Sequence, residues 1–266
     1  MAAAWGIADQ VSAAVMSLTL GSPRVFIFMF MTALFPQAVF PRTLRVAIAI
    51  GLAAPVAYGV FHAVGGRGVA QLDVAALVLK ECVLGLVLGL PIAGPVWVMQ
   101  SVGALADNGR GANAAQQLTP FSTADSSVIG AALQQALIVV LASTGILAMV
   151  YQLLLHSFEV WPVLSLLPDL SPFGFDLAVQ NFDDWVSRAV LFAAPVVGVI
   201  LLVDFAFALV SVFAPQLQAY FASMPIKSLA GIAVLSVYLF TLLSHGEDYF
   251  REVVHRQTMT YDRHPR

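Results

Sequence analysis

Six long apolar stretches, at about residues 22–40, 46–64, 74–100, 128–155, 189–226 and 228–244, alternate with polar breaks along the chain. Each approaches or exceeds the roughly 20 residues that an α-helix needs to cross about 30 Å of hydrocarbon. Between Ser126 and Phe158 there is no Asp, Glu, Lys or Arg at all. A membrane β-barrel would instead show segments of about ten residues with alternating polarity. The unbroken runs of Leu, Val, Ala and Phe therefore predict an all-α, polytopic membrane protein. Its segments form a single domain over residues 1–266, with a polar loop at 156–188 and a polar tail at 245–266.

Composition removes the soluble alternative. Hydrophobic residues make up 60% of the 266 and charged residues 10%. A soluble domain carries about 45–50% and about 25%. A formal net charge of -3 leaves no basic footprint for nucleic acid. Cys82 stands alone, which excludes an intrachain disulfide or a cysteine-built metal cage. The histidines are scattered without ligand spacing, and no G-x-S-x-G elbow is present. No catalytic, cofactor or metal site is expected. The first twenty residues lack Lys and Arg and contain Asp9, so they read as a retained segment rather than a cleaved signal.

Arg42 and Arg45 at the first turnaround place it on the cytoplasmic side, which puts the N-terminus outside. The acidic 156–188 loop then falls outside, and the Arg-rich tail falls inside. Between them the count fails. Residues 189–222 would make one helix about 51 Å long at 1.5 Å per residue, or two halves meeting at Asp204 without a turn. Pro195 and Pro215 kink it in either case, and Met224-Pro225-Ile226-Lys227 reads as a short break. Long, kinked hairpins buried against other subunits fit better than a simple serpentine.

Ionisable residues within apolar stretches are functional candidates, because burial without a partner costs several kcal/mol, of order 2–7 even for an uncharged polar group. Lys80 and Glu81 read either as a mutually compensating pair or as an intersubunit salt bridge. Asp204 lies far in sequence from any cation; proton relay, polar glue to another helix and a helix hydrogen bond all remain open. Gly85 and Gly89 form a GxxxG-like pair that admits a second backbone closely. Gly65-Gly66-Arg67-Gly68 lacks the ending of a phosphate loop and reads as a turn. Asp107-Asn108-Gly109-Arg110-Gly111 is turn chemistry, and the residues up to Ser127 are polar yet nearly uncharged. Irregular backbone at membrane depth is tolerated where it lines a water-filled cavity.

These polar blocks resemble the SctT-type export-apparatus proteins of type III secretion, which are related to the flagellar FliR proteins. The stretch holding Gln100, Gly103, Asp107, Arg110 and Gly111 is similar to the family's Q-x-x-G-x-x-x-D-x-x-R-G run. Ala214-Pro215-Gln216-Leu217, followed by Met224-Pro225-Ile226-Lys227-Ser228, resembles its A-P-Q-L…M-P-x-K-S pattern. Pro41-Arg42-Thr43-Leu44-Arg45 and Lys80-Glu81 followed by Gly85 and Gly89 look like its earlier elements. The chain departs from many relatives at Val212, where they carry Arg, and at Thr119-Pro120, where they carry an acidic Asp-Pro.

The resemblance implies a pore and gate subunit of the export apparatus in the bacterial inner membrane. Such a chain is built of long bent hairpins and packs into a helical hetero-oligomer with SctR-like and SctS-like subunits. It works with an SctU-like switch protein and an SctV-like export ring, and passes unfolded secreted substrates. The resemblance also implies a plug at about residues 107–127, including Asp107, Asn108, Gly109, Arg110, Gly111 and Pro120. Lys80, Glu81, Gly85, Gly89, Asp204, Pro215, Gln216, Met224, Pro225 and Lys227 would serve assembly and helix packing, with the two glycines facing other subunits. The alternative is a secondary transporter with a broken-helix site around Asp204.

Overall fold

The computed structural model describes residues 7–36, 39–64, 71–111, 127–165, 175–213 and 219–262. The described residues form seven α-helices and no strand. They are α1 (Ile7–Met31), α2 (Arg42–Val64), α3 (Gln71–Gly109), α4 (Val128–Ser143), α5 (Ile146–Val160), α6 (Phe175–Phe213) and α7 (Ala219–Asp262). Five are long and apolar enough to cross a membrane, or six spans if α4 and α5 together count as one. The all-helical, polytopic expectation therefore holds.

Several element bounds differ from the hydropathy reading, each for a physical reason. The hydropathy pattern predicts a first segment at 22–40, but α1 begins at Ile7 and runs through Gly21-Ser22-Pro23 before ending at Met31. Pro23 sits inside the helix, a position that transmembrane helices tolerate better than soluble ones. Helix α3 continues nine residues beyond the expected 100, so Asp107, Asn108 and Gly109 occupy its last turn rather than a loop. Only Arg110 and Gly111 turn, and Gly111 adopts φ +82°, the left-handed region that glycine tolerates.

The expected 128–155 helix is broken at Thr144–Gly145, where Gly145 takes φ +77°. Conversely, Met224-Pro225-Ile226-Lys227 does not break the chain; it lies inside α7, which runs 44 residues. Helix α6 ends at Phe213 and α7 begins at Ala219; residues 214–218 lie outside the described residues, so the expectations for Pro215 and Gln216, like that for Pro120, fall outside them too. The polar loop 156–188 and the tail 245–266 are also largely helical, because α6 starts at Phe175 and α7 reaches Asp262. The polar residues on these helical stretches include buried ones, Ser157 and Gln257, as well as exposed ones such as Glu159 and Glu252.

The chain separates into two compact units. The first comprises residues 1–94, 145–178 and 252–266. Within it α1 and α2 form an antiparallel hairpin in which Gly21 lies against Ala57 and the Arg45 guanidinium covers the Phe30 ring. Leu20, Val60, Leu77 and Val163 form one buried cluster there. The second unit comprises residues 95–144 and 179–251. In it α6 and α7 run antiparallel, with Ala106, Val196 and Ile200 packed against Val234, Leu235 and Tyr238.

Burial divides the spans sharply. An 18-residue apolar window within Val74–Gly109 is 67% buried inside the chain, whereas the corresponding windows in α6 and α7 are 11% and 17% buried. Leu201, Leu202, Phe205, Phe213, Val237 and Phe240 are all exposed. Apolar surface on this scale requires lipid or other apolar subunits as its solvent.

Candidate functional site

Two polar constellations are built into this apolar chain, one in each unit. In the first, Glu81 on α3 is fully buried and receives both forks of Arg24 from α1, at 2.8 Å from Nε and 3.0 Å from Nη2. A bidentate Arg–carboxylate pair of this kind is among the stronger polar contacts in a dry site. Arg24 also donates to the Ser157 and Trp161 carbonyls and lies over the Phe158 ring. Lys80 pairs with Glu81 at 2.8 Å and donates to the carbonyls of Pro162, Val163 and Ser165, each at 2.9 Å. The Lys80–Glu81 pair is thus internal to the chain, with a third member that hydropathy reading overlooked. Arg24 sits in an apolar run with no acid near it in sequence; a lone Arg inside a span is itself the signal that a buried partner exists.

Gly85 and Gly89, one and two turns beyond Glu81, explain how α1 comes so close. A Cβ on Gly85 would lie 2.6 Å from the Arg24 carbonyl oxygen, and one on Gly89 would lie 2.9 Å from the Met31 Cβ. Both glycines therefore admit α1 of the same chain, rather than a neighbouring subunit as expected from the sequence. The small side accommodates Arg24, and the carboxylate one turn earlier neutralises it.

The second constellation stands at the two feet of segment 112–126. Asp107, 1% exposed in the last turn of α3, accepts three hydrogen bonds. They come from Arg110 Nε at 2.8 Å, from Ser127 Oγ at 2.6 Å and from the Ile129 amide at 3.0 Å. Ser127 is the N-cap of α4, its Oγ accepting from the Gly130 amide at 2.8 Å. Arg110 reaches on to the Ser228 hydroxyl of α7 at 3.4 Å. One buried carboxylate thus ties the end of α3 to the start of α4, and its Arg partner ties both to α7. A carboxylate accepting at a helix N-terminus is also favoured by the helix dipole.

Glycine again sets the approach. Gly103 on α3 faces Gly130 on α4 so closely that a Cβ on either would collide with backbone; one on Gly130 would lie 2.6 Å from the Gln100 carbonyl oxygen. Gln100, Gly103, Asp107, Arg110 and Gly111 thus act as one device, in which the glycine permits the crossing and the Asp–Arg pair closes its end. Gly111 lies against Met224, so Met224 belongs to the same neighbourhood. The sequence places Ser127 at the end of the expected plug segment; the structure makes it a helix N-cap instead, a role that a Ser before an apolar run signals.

Asp204, isolated in sequence, is paired in space. Lys227 Nζ forms an ion pair with its carboxylate across the α6–α7 hairpin. Asp204 remains 42% exposed while Lys227 is buried at 8%. Pro225 lies within α7 just before this lysine. The pair joins two facing helices, so the lone carboxylate that motivated a transporter site is not lone. No cluster of three or more metal-ligating side chains occurs among the described residues.

Residues 15–253 match the family described as Bacterial export proteins, family 1. The chain is 32% identical over 243 residues to the Yop proteins translocation protein T of Yersinia pestis, which covers 90% of this chain and 92% of that one. It is 33% identical to the Surface presentation of antigens protein SpaR of Salmonella typhimurium, covering 85% and 83%. Similarity extends to the Flagellar biosynthetic protein FliR of Bacillus subtilis, 27% identical and covering 63% and 64%.

Proposed function

Because the chain belongs to family 1 of the bacterial export proteins, as an SctT-type member related to FliR, we propose that it is a pore and gate subunit of a type III secretion export apparatus. It sits at the bacterial inner membrane with its N-terminus on the periplasmic side and its C-terminus on the cytoplasmic side. Its role is structural rather than catalytic: it lines and closes a passage for unfolded secreted proteins. The partners are SctR-like and SctS-like subunits in a helical pore, with an SctU-like switch protein and an SctV-like ring. The whole chain, residues 1–266, acts as one such domain.

The observation that carries this reading is the Asp107 clamp at the feet of segment 112–126. That segment contains one charged residue, Asp125, among fifteen. Anchored at both ends, fifteen residues reach at most about 25 Å from their base, half of roughly 3.4 Å per residue. Such a tether is long enough to obstruct a narrow lumen and short enough to stay in register with it. Its amide and hydroxyl chemistry, with a single charge, offers hydrogen bonds and few fixed ion pairs, so a passing polypeptide of any charge displaces it at little cost. The exposed apolar faces of α6 and α7 supply the surface for neighbouring subunits.

The test is co-expression of the tagged chain with SctR-like and SctS-like proteins, followed by native mass spectrometry in mild detergent. A stable hetero-oligomer is expected. A monomer or homodimer, with those partners present but unbound, would overturn the assembly.

A further inference from the structure

We propose that the head of α2 is a binding site for the phosphate of an anionic phospholipid. A cavity of about 430 Å³ opens there, lined by Phe30, Phe40, Arg42 and Arg45. Arg45 is 6% exposed, yet its Nε has no hydrogen-bond partner. Its guanidinium lies 4.3 Å from the Phe30 ring centre, which holds the plane in position but does not satisfy its N–H groups. Arg42, exposed at the rim, is the first residue of α2.

Electrostatics make the site one-sided. The first turn of α2 contains no acidic residue. Unpaired amides give a helix N-terminus a partial positive charge, so two arginines there repel it and each other. No Asp or Glu occurs anywhere between Asp9 and Asp73, so nearby sequence offers no counter-charge. A buried guanidinium in this setting needs an anion from outside the chain.

Position selects the anion's source. The cavity lies between the end of one candidate span, Gln10–Met31, and the start of the next, Arg42–His62. With both segments crossing the bilayer, the turn between them lies at the level of the phospholipid headgroups, and basic pockets between membrane helices bind such groups. Phe30 and Phe40 would lie along the upper acyl chain while the two arginines take the phosphate oxygens, with Arg45 presenting its fork. The inference rests on the membrane disposition of α1 and α2 and is independent of the gate proposal.

The full chain in mild detergent, exposed to phosphatidylglycerol or phosphatidylcholine and analysed by native mass spectrometry, tests this. Phosphatidylglycerol adducts should persist, and should fall roughly fivefold in Arg45→Met and in the rim variant Arg42→Gln, at about one charge's worth of surface attraction each. The exposed position of Arg42 keeps the test open should Arg45→Met misfold. Equal retention of both lipids, or equal retention by wild type and both variants, would overturn the proposal. Displacement of the lipid by inorganic phosphate would assign the site to the free ion instead. Loss of the lipid on assembly with SctR-like subunits would assign it to a partner carboxylate.

Discussion

Asp107 and Ser127 stand twenty residues apart in sequence and 2.6 Å apart in space. The carboxylate accepts a hydrogen bond from the Ser127 hydroxyl, while that same hydroxyl oxygen caps α4 by accepting from the Gly130 amide. Arg110 neutralises the carboxylate from the other side. Removing the hydroxyl by Ser127→Ala deletes both the cap and one of the three bonds to Asp107. The expected cost is about 1–2 kcal/mol, within the range of a lost N-cap, read as a lower melting temperature of the purified chain. An unchanged melting temperature would mean that the clamp contributes nothing to stability.

Glu81 neutralises two buried cations, Arg24 and Lys80. Glu81→Leu strands both, and should destabilise the chain by about 3–5 kcal/mol, as breaking a buried pair does. The double variant Arg24→Leu with Glu81→Leu removes both ends of the bidentate pair and should be more stable than Glu81→Leu alone. A thermal-denaturation double-mutant cycle checks this; purely additive losses would argue against coupling.

The glycines divide into two classes that a scan to alanine separates. Gly103→Ala and Gly130→Ala place a methyl group against backbone at the α3–α4 crossing and should impair folding. Gly59 has open space around its missing Cβ. Gly59→Ala should be neutral, or stabilising by up to roughly 1 kcal/mol through helix propensity. Similar expression and stability for all three would contradict the close crossing.

Gly145→Ala tests the break between α4 and α5. Nothing lies within 4 Å of the added Cβ, so the whole cost is conformational, from φ +77°. It should be about 1–2 kcal/mol, and Gly145→Asn should recover part of it because Asn visits that region more readily. A chain equally stable with Ala and with Asn would place the break elsewhere.

Hydropathy made the kind of elements and the rough course of the spans legible, because a bilayer leaves apolar helices almost no alternative. Their ends were less legible, because polar residues at the ends of long helices have the composition of loops: α6 from Phe175 and α7 to Asp262 both extend through sequence that reads as connector. Proline misled in the opposite direction. Pro225, within the expected Met224–Lys227 break, is carried inside α7, where in water it would mark a stop. The pairing of Asp204 with Lys227 was out of reach of any local rule, since it depends on how two long helices align. Asp107, Arg110 and Gly111 were visible as a block, but not that the block reaches Ser127 and Ser228.

Ion conductance across the assembled export-gate complex in a planar bilayer tests the gate reading most directly. The wild-type complex should be closed in the absence of substrate. Asp107→Asn, which removes the charge that Arg110 answers, should give a complex that still assembles but leaks, with open events raised about tenfold or more, the equivalent of roughly 1.4 kcal/mol taken from the closed state. A variant complex that assembles and remains as tightly closed as wild type would contradict a gate held at Asp107.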